Sequence, residues 1–435
     1  MTYSNALRVL SLLLFAPWLS FSSHAQQTGD GSVYSRFGLG ELRQFPSSQL
    51  QAMGGGGTGF PSFGAVNLSN PASWGARVLT RVSGGLLYEN LTMTDASDAR
   101  SRLVSSALNG IHVGFPLKSQ KLGLGLAYVP YTRVNYRVQE EGTLSPPDDD
   151  EVPFTIQHTG GGGLQQVTGG LGWQINPNVA VGLQANWIFG ILEQRRETRF
   201  ASGFYQTATV ASATRLHGVN GTAGVLVRLP NLLRPADQLA FGATFTLPTT
   251  LTGKRVPTLA LGQAEPDTLA GDRSGDVSLP YGVALGVSYQ TDSRWTFLLD
   301  GRYEPWSQFE STFDFPGYDP DAGLTLRDRW RFSGGIEYFP AGRDFNASFL
   351  RRTAYRLGFY YDASYASPLP DVTIRTLAVT GGLSLPTMHP GTRIDLNLEV
   401  GTRGTTDRGL IRDRFVRVGL NVNFGERWFV KRKLG

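Results

Sequence analysis

The feature that most restricts the fold of this chain is a side-chain period of two, repeated from segment to segment over most of its length. In "LGLGLAYVPYTRVNYRV" (122–138), Leu122, Leu124, Leu126, Tyr128, Val134, Tyr136 and Val138 share one parity, while Gly123, Gly125, Arg133, Asn135 and Arg137 take the other. "RIDLNLEV" sets Ile394, Leu396, Leu398 and Val400 against Arg393, Asp395, Asn397 and Glu399. "RFVRVGLNVNF" sets Val416, Val418, Leu420, Val422 and Phe424 against Arg417, Gly419, Asn421 and Asn423. Residues 178–189, 238–247, 281–289, 295–303, 329–338 and 352–362 alternate in the same way. A period of two means strands with one apolar and one polar face.

A soluble β-sandwich also alternates. Here the polar parity is charged or glycine on strand after strand, and the apolar parity is aliphatic with aromatics toward the strand ends. That suits a wall with lipid outside and a polar lumen inside. The connections alternate too: short links near 119, 177, 292 and 388, and long ones at 91–107, 139–163, 193–212, 254–276 and 305–326. The expected fold is all-β: a transmembrane antiparallel β-barrel of about fourteen strands, starting near 77, 108, 121, 164, 178, 213, 237, 277, 293, 327, 352, 371, 391 and 413. An even count puts both termini in the periplasm, and closure satisfies every backbone group that hydrocarbon would leave unpaired.

Composition agrees. Charged residues are 17% of the chain, against a usual ~25%, and 54 of 435 residues are glycine. There is no cysteine, hence no disulfide, thiol chemistry or lipoprotein anchor. The net charge of +5 is scattered, without the interleaved basic and aromatic residues of a nucleic-acid surface. Arg8, the apolar run "VLSLLLFAPWLSF" and "SSHA" read as a secretory signal peptide, residues 1–25, cleaved after Ala25. The expected location is the outer membrane of a Gram-negative cell, with its lipid and its barrel-assembly machinery as partners.

A fourteen-stranded barrel is wider than wall side chains fill, since about eight strands already suffice for that. Residues 26–76 precede the first strand and lack alternation. Within them "QAMGGGGTGFPSFGAVNLSNPASW" (51–74) carries Met53, Phe60, Phe63, Val66, Leu68 and Trp74 among many glycines. Glycine lets backbone lie against a wall with no side chain between, and Asn70-Pro71 sets a turn. Residues 26–76 are therefore expected to form a plug in the lumen, 77–424 the barrel, and 425–435 a periplasmic tail. In that tail Trp428 and Phe429 would fold under the barrel, and Lys431, Arg432 and Lys433 would lie near anionic head groups or in solvent.

At "AMGGGGTG" (52–59) and "LSNPASW" (68–74), and in barrel size, the chain resembles the FadL-like outer-membrane channels for fatty acids and hydrocarbons. "GSVYSRFGLGELRQF" (31–45) and "ERWFVKRKLG" at the carboxyl end are more like another branch of exported barrels than like the founding transporters. The resemblance implies a fourteen-stranded barrel with an amino-terminal hatch. It also implies passive uptake of hydrophobic small molecules by movement of the hatch, with lateral release through a break in the wall. On that basis Met53, Gly54, Gly55, Gly56, Phe60, Phe63, Asn70, Pro71, Ala72 and Trp74 form the expected substrate-and-hatch set. Asn70-Pro71-Ala72 would be the hinge, and Gly54 to Gly57 the flexible part.

The polar parity gathers Arg133, Arg137, Asp300, Arg302, Glu304, Arg329, Arg331, Glu337, Arg352, Arg356, Arg393, Asp395, Glu399 and Arg417 in the lumen. These charges pair with one another and with the plug, or an arginine among them, with Arg133, Arg302, Arg331, Arg356 and Arg417 as candidates, grips a carboxylate head group in a two-pronged fork. So charged a lumen favours the rival class, a non-transporting barrel serving as scaffold or secretion adaptor through its extracellular loops. The discriminating feature is a continuous apolar path from the outer loops to a gap in the wall.

Enzyme chemistry finds no support in the residues. Gly54, Gly56 and Gly59 match G-x-G-x-x-G, but no strand precedes and no helix follows. The five histidines lack metal-ligand spacing. His217 lies on an outward strand face without a serine partner. The acidic loops "PPDDDEVP" and "DFPGYDPDAG" match no calcium-binding pattern. The reading is a non-enzyme with no catalytic residue, metal or cofactor.

Overall fold

The computed structural model describes residues 31–427, except 63, 145–150, 270, 292, 293, 343, 345, 370 and 390. The expected signal peptide, Phe63, most of the acidic loop "PPDDDEVP", and the tail from Trp428 onward lie outside the described residues.

The strands in chain order are β1 (Glu41–Leu42), β2 (Thr80–Thr94), β3 (Arg100–Lys118), β4 (Leu122–Pro130), β5 (Thr132–Arg133), β6 (Tyr136–Leu144), β7 (Val152–Gln174), β8 (Val179–Phe200), β9 (Ala208–Pro230), β10 (Gln238–Thr246), β11 (Thr249–Leu261), β12 (Asp267–Thr268), β13 (Arg273–Leu279), β14 (Gly282–Thr291), β15 (Trp295–Glu304), β16 (Glu310–Ser311), β17 (Arg329–Tyr338), β18 (Ala354–Ala363), β19 (Arg375–Pro386), β20 (Arg393–Arg403) and β21 (Arg412–Glu426). Two single-turn helices, α1 (Ser48–Gln51) and α2 (Phe349–Arg352), complete the set with a few 3-10 turns.

All wall pairings are antiparallel and close a ring of fourteen strands: β2, β3, β4, β7, β8, β9, β10, β14, β15, β17, β18, β19, β20 and β21, which returns to β2. The apolar parity faces outward, exposing Leu86, Leu183, Leu285, Leu299, Leu357, Leu398 and Leu420. Aromatics gather near both strand ends. Trp173, Tyr289 and the stacked pair Trp295–Tyr338 lie beside the short links, and Trp187, Phe245, Tyr281 and the pair Tyr303–Trp330 toward the other end. Such girdles belong to a barrel seated in a bilayer.

The fourteen expected starts fall on fourteen strands, but most of the expected long loops are strand. β7, β8 and β9 run 23, 22 and 23 residues, longer than a bilayer crossing of about 9–11 residues needs. The segments 91–107, 139–163 and 193–212 thus form largely paired ribbon above the membrane, with short turns at 95–99 and 201–207. No lipid imposes alternation there, so the ribbon carries polar residues on both faces and has no period to read.

One stretch of wall is incomplete. Asn109 forms a bulge between paired Leu108 and Gly110, where the β2–β3 register shifts and Gly110 takes φ 150°. From Ile111 downward β3 pairs β4; above it, residues 100–110 have β2 on one edge and no ladder on the other among the described residues. The continuation of β4 turns inward at Tyr131, whose N–H donates to Leu164 O (2.9 Å), while Val134 N–H donates to Gly162 O (3.0 Å). Among the described residues β6 then pairs only β7. The wall is therefore split between β3 and β6, and the inward segment β5 pairs with β1 of the amino-terminal segment.

Candidate functional site: the lumen and the split wall

The lumen side of the wall is lined with glycine at one level, and the amino-terminal segment lies on it. A Cβ on Gly335 would meet Met53 O at 2.5 Å, one on Gly125 would meet the Trp74 ring at 2.7 Å, and one on Gly286 would meet Gly59 N at 2.7 Å. Gly358 lies against Gly54 N, Gly182 against Ala72 N and Gly224 against Asn70 Oδ1. Polar contacts complete the seat. Gly54 N–H donates to Thr380 Oγ1 (3.0 Å), Thr58 N–H to Asp300 Oδ1 (2.6 Å), and Asn70 Nδ2 to Thr58 O (2.8 Å) and Val225 O (2.9 Å).

This seat holds nearly the whole substrate-and-hatch set expected from sequence. Met53, Ala72 and Trp74 are fully buried and Phe60 nearly so, packed with Leu50, Met53 and Leu298. Gly54 and Gly55 take φ of 88° and 79°. Gly54 abuts wall carbonyls, and Gly56 faces the Asp300 carboxylate and Ser333 Oγ. The Asn70 side chain accepts from Ala72 N–H (3.0 Å) and caps a 3-10 turn, Pro71–Ala76, while Trp74 Nε1 donates to Asn67 O (2.7 Å). These residues meet each other and the wall, and Gly54 and Gly55 also border the cavity described below.

Above the seat, charges form three buried groups. In the first, Arg417 reaches Glu89 (2.6 Å), Glu399 (2.9 Å) and Glu41 (3.0 Å); Arg403 meets Glu41 (2.6 Å); and Arg43 and Arg133 share Glu89 Oε2 at 3.1 and 2.9 Å. In the second, Arg329 bridges Asp362 (2.6 Å) and Glu304 (3.1 Å), Arg331 meets Asp362 (3.0 Å) and Gly54 O (3.1 Å), and Arg302 lies 3.5 Å from Glu304. In the third, Arg356 joins Glu337 (2.6 Å) and Asp395 (3.3 Å), with Gln49 donating to Glu337 and Ser48 to Asp395. All five lumen arginines singled out from sequence are paired with acids. Asp362, Glu89 and Arg403 also belong to these groups; Asp362 and Arg403 continue the inward parity of Arg356 and Glu399, so following the alternation along each strand identifies them, whereas Glu89 is the cross-strand partner of Arg417. Glu41 and Arg43 sit in an aperiodic stretch that gives no such signal.

A cavity of about 390 Å³ opens within the first group. Its inner lining includes Glu41, Arg43, Arg133, Arg331, Glu399, Arg403 and Arg417, and its wall side Leu87, Ala107, Leu108, Tyr128 and Pro130. Leu108 and Tyr128 are outward residues, 39% and 36% exposed. The cavity thus reaches the membrane face at the split between β3 and β6. Toward the rim the barrel is filled by buried apolar side chains, among them Leu39, Ile188, Leu216, Trp306, Phe313, Phe315 and Tyr365. Trp306 stacks on Tyr365 at 4.4 Å. Among the described residues no His, Cys, Asp or Glu cluster is placed to hold a metal, and His217 is exposed on β9.

Solved structures share this fold. The toluene transporter TbuX of Ralstonia pickettii matches at 16% identity over 88% of this chain and 98% of its own, with a TM-score of 0.56. A Pseudomonas aeruginosa FadL homologue matches at 13% over 88% and 99% (0.55), and the toluene transporter TodX of Pseudomonas putida at 14% over 90% and 100% (0.56). No curated protein sequence matches. The FadL-type barrel expected from residues 52–74 is thus present, at identities that speak for the fold alone. The sequence as a whole, over residues 8–435, matches the family model BamG, and the chain belongs to the BamG family.

Proposed function

We propose that this chain is an outer-membrane barrel that passes hydrophobic or amphiphilic small molecules between its lumen and the bilayer through the split between β3 and β6. The observation that carries the reading is the cavity that begins among buried charges and ends at outward-facing Leu108 and Tyr128. In the orientation proposed here the termini and short links are periplasmic, and the amino-terminal segment is the hatch. Its mobile part is residues 38–45, which hold the inward segment by a two-residue ladder with β5, a bond from Arg43 N–H to Tyr131 O (2.9 Å) and charges shared at Glu89; residues 48–76 are seated on wall glycines. An apolar tail fits along Leu108, Tyr128 and Pro130, while an acidic head group competes with Glu89 for the fork formed by Arg43 and Arg133. The structural relatives, toluene transporters and a FadL homologue, support a hydrophobic cargo.

The test is mass spectrometry of organic extracts from the protein purified in mild detergent, beside an unrelated barrel. A fatty acid or hydrocarbon enriched in the wild type and lost in Leu108→Trp, which narrows the split, supports the reading. Equal bulk lipid in every sample overturns it.

A second reading has its own observations. The three ion groups and the filled mouth interrupt any apolar path from rim to split, and the family name BamG points to barrel assembly. On this reading the barrel is a non-transporting adaptor that docks on the barrel-assembly machinery. A photo-crosslinker in place of Phe204, 98% exposed in the turn 201–207, captures assembly components if it holds and only lipid if it does not.

A further inference from the structure

The outer wall from β18 round to β3 has a second feature. A groove of about 580 Å³ runs over its lipid-facing surface, edged by Phe359, Leu377, Val379, Val400 and Val416. These edge residues are 39–57% exposed. The groove exists because small inward residues, Ala378 and Gly401, underlie the wall there, with the Phe415 ring lying against the Gly401 position.

Cations stand at the upper edge of this groove. Arg102, Thr92, Arg414, Thr402 and Leu377 are successive partners across five strands, directly above the row Val104, Asn90, Val416, Val400 and Val379. Arg102 and Arg414 both face outward and exposed, on either side of β2, so their backbones are two strand spacings, about 10 Å, apart. One position further up come Arg100, Arg412 and Arg375. Arg102 Nε donates to Asn90 Oδ1 (2.9 Å) and Arg412 to Thr406 Oγ1 (3.4 Å). Among the described residues, none of the five has an acid at ion-pair distance. Asp95 and Asp98 lie in the turn above, where Asp95 accepts from Ser97 and Ala99.

The contrast with the ribbon on the opposite side is informative. There some exposed cations are matched: Arg195 and Arg199 both meet Glu197 (2.9 and 2.5 Å), and Lys254 meets Asp272 (2.5 Å), while Arg196, Arg215 and Arg273 stand singly rather than in a row above a groove. An unmatched row of arginines, set where apolar wall gives way to polar ribbon and over a groove shaped for a chain, complements a phosphorylated lipid. We propose that this face binds an anionic phospholipid of the outer leaflet. Its acyl chain would lie in the groove, and its phosphate between Arg102 and Arg414, with Arg100, Arg412 and Arg375 adding long-range attraction. The inference uses the orientation proposed above and is independent of whether the lumen transports anything.

The experiment is native mass spectrometry of the intact barrel released from nanodiscs holding equal amounts of phosphatidylglycerol and phosphatidylcholine with identical chains. The wild type is expected to retain phosphatidylglycerol about tenfold over phosphatidylcholine. Arg102→Gln with Arg414→Gln should bring the ratio near one, and Arg102→Lys with Arg414→Lys should keep most of it. Val400→Trp, which fills the groove, should lower retention of both lipids. All substituted positions are exposed, and heat-modifiable gel mobility checks folding. Equal retention by the wild type, or a ratio unmoved by the glutamine pair, overturns the proposal. Displacement of bound lipid by millimolar glycerol phosphate would assign the site to soluble phosphate and overturn the lipid.

Discussion

The two parts of the amino-terminal segment are held in the lumen by different physics. Residues 48–76 lie on wall glycines and are fixed by shape: Met53 against Gly335 and Gly358, Trp74 against Gly125, Asn70 against Gly224. Residues 31–45 pack apolar side chains at Tyr34, Phe37 and Leu39 and, unlike the seat, carry ionised side chains of their own into the buried ion groups. Glu41 and Arg43 sit in the ion group around Arg417, Ser32 Oγ donates to Asp413 (2.5 Å), and Tyr34 donates to Ile411 O. Steric fit is insensitive to pH and salt and fails when one atom is added. A charge tether responds to protonation and fails when one partner is removed. If any part of this segment moves during function, the charged part can be switched without unmaking the seat.

Four experiments break or sharpen that contrast. The largest effect is expected from Arg417→Met, which leaves Glu89, Glu399 and Glu41 buried without their shared partner and should cost about 3–5 kcal/mol. Urea unfolding in detergent, followed by tryptophan fluorescence, measures it, and adding Glu89→Gln should restore part of the loss. A shift below ~1 kcal/mol would show that the ion group is not the tether.

Next comes the seat. In Gly358→Val the new Cβ meets Met53 Cα at 2.7 Å, and overpacking of this kind costs about 1–3 kcal/mol. Because the wall ladder is untouched, the barrel should keep its heat-modifiable mobility while residues 48–60 become open to protease. A variant as resistant as the wild type contradicts the seat.

Third is the pH response of the tether. Burial alone would raise the Glu41 carboxyl pKa, but the guanidiniums of Arg403, Arg43 and Arg417 hold it well below the ordinary carboxylate range. A depressed folded value stabilises the folded state above the unfolded carboxylate pKa of about 4.3, and this stabilisation is lost as pH falls through the folded value. Unfolding midpoints should therefore decline below about pH 4 in the wild type and decline less steeply in Glu41→Gln. Parallel acid limbs in the two proteins would remove Glu41 from the tether. Smallest is Arg302→Ala: its side chain is 26% exposed and 3.5 Å from Glu304, so at most about 1 kcal/mol is at stake, and a larger loss would mean that Arg302 does more than pair.

How much of this was legible differs along the chain. The wall was, because lipid on one side and a packed lumen on the other force a period of two that survives in "RIDLNLEV" and "RFVRVGLNVNF". The inward arginines were legible as a class, since parity places Arg331, Arg356 and Arg417 in the lumen, but their acid partners come from other strands or from the amino-terminal segment. Phe60 and Trp74 read as a ligand site because an aromatic looks the same in sequence whether it lines a cavity or fills one. The glycines of the polar parity carried a signal that went unused: Gly125, Gly335 and Gly358 sit where a side chain is expected, and the space they leave is taken by Trp74 and Met53.

By itself the sequence determined an all-β wall of fourteen passages with a glycine-rich segment ahead of it, because alternation and glycine content are local consequences of the medium each residue faces. Only the tertiary structure decided where the ring stays unlaced, which charges meet, and where the cavity lies. These depend on register. The bulge at Asn109 and the inward turn at Tyr131 each shift pairing by a residue or two, and their joint result, the split beside Leu108, exists only once β3 and β6 have been brought side by side.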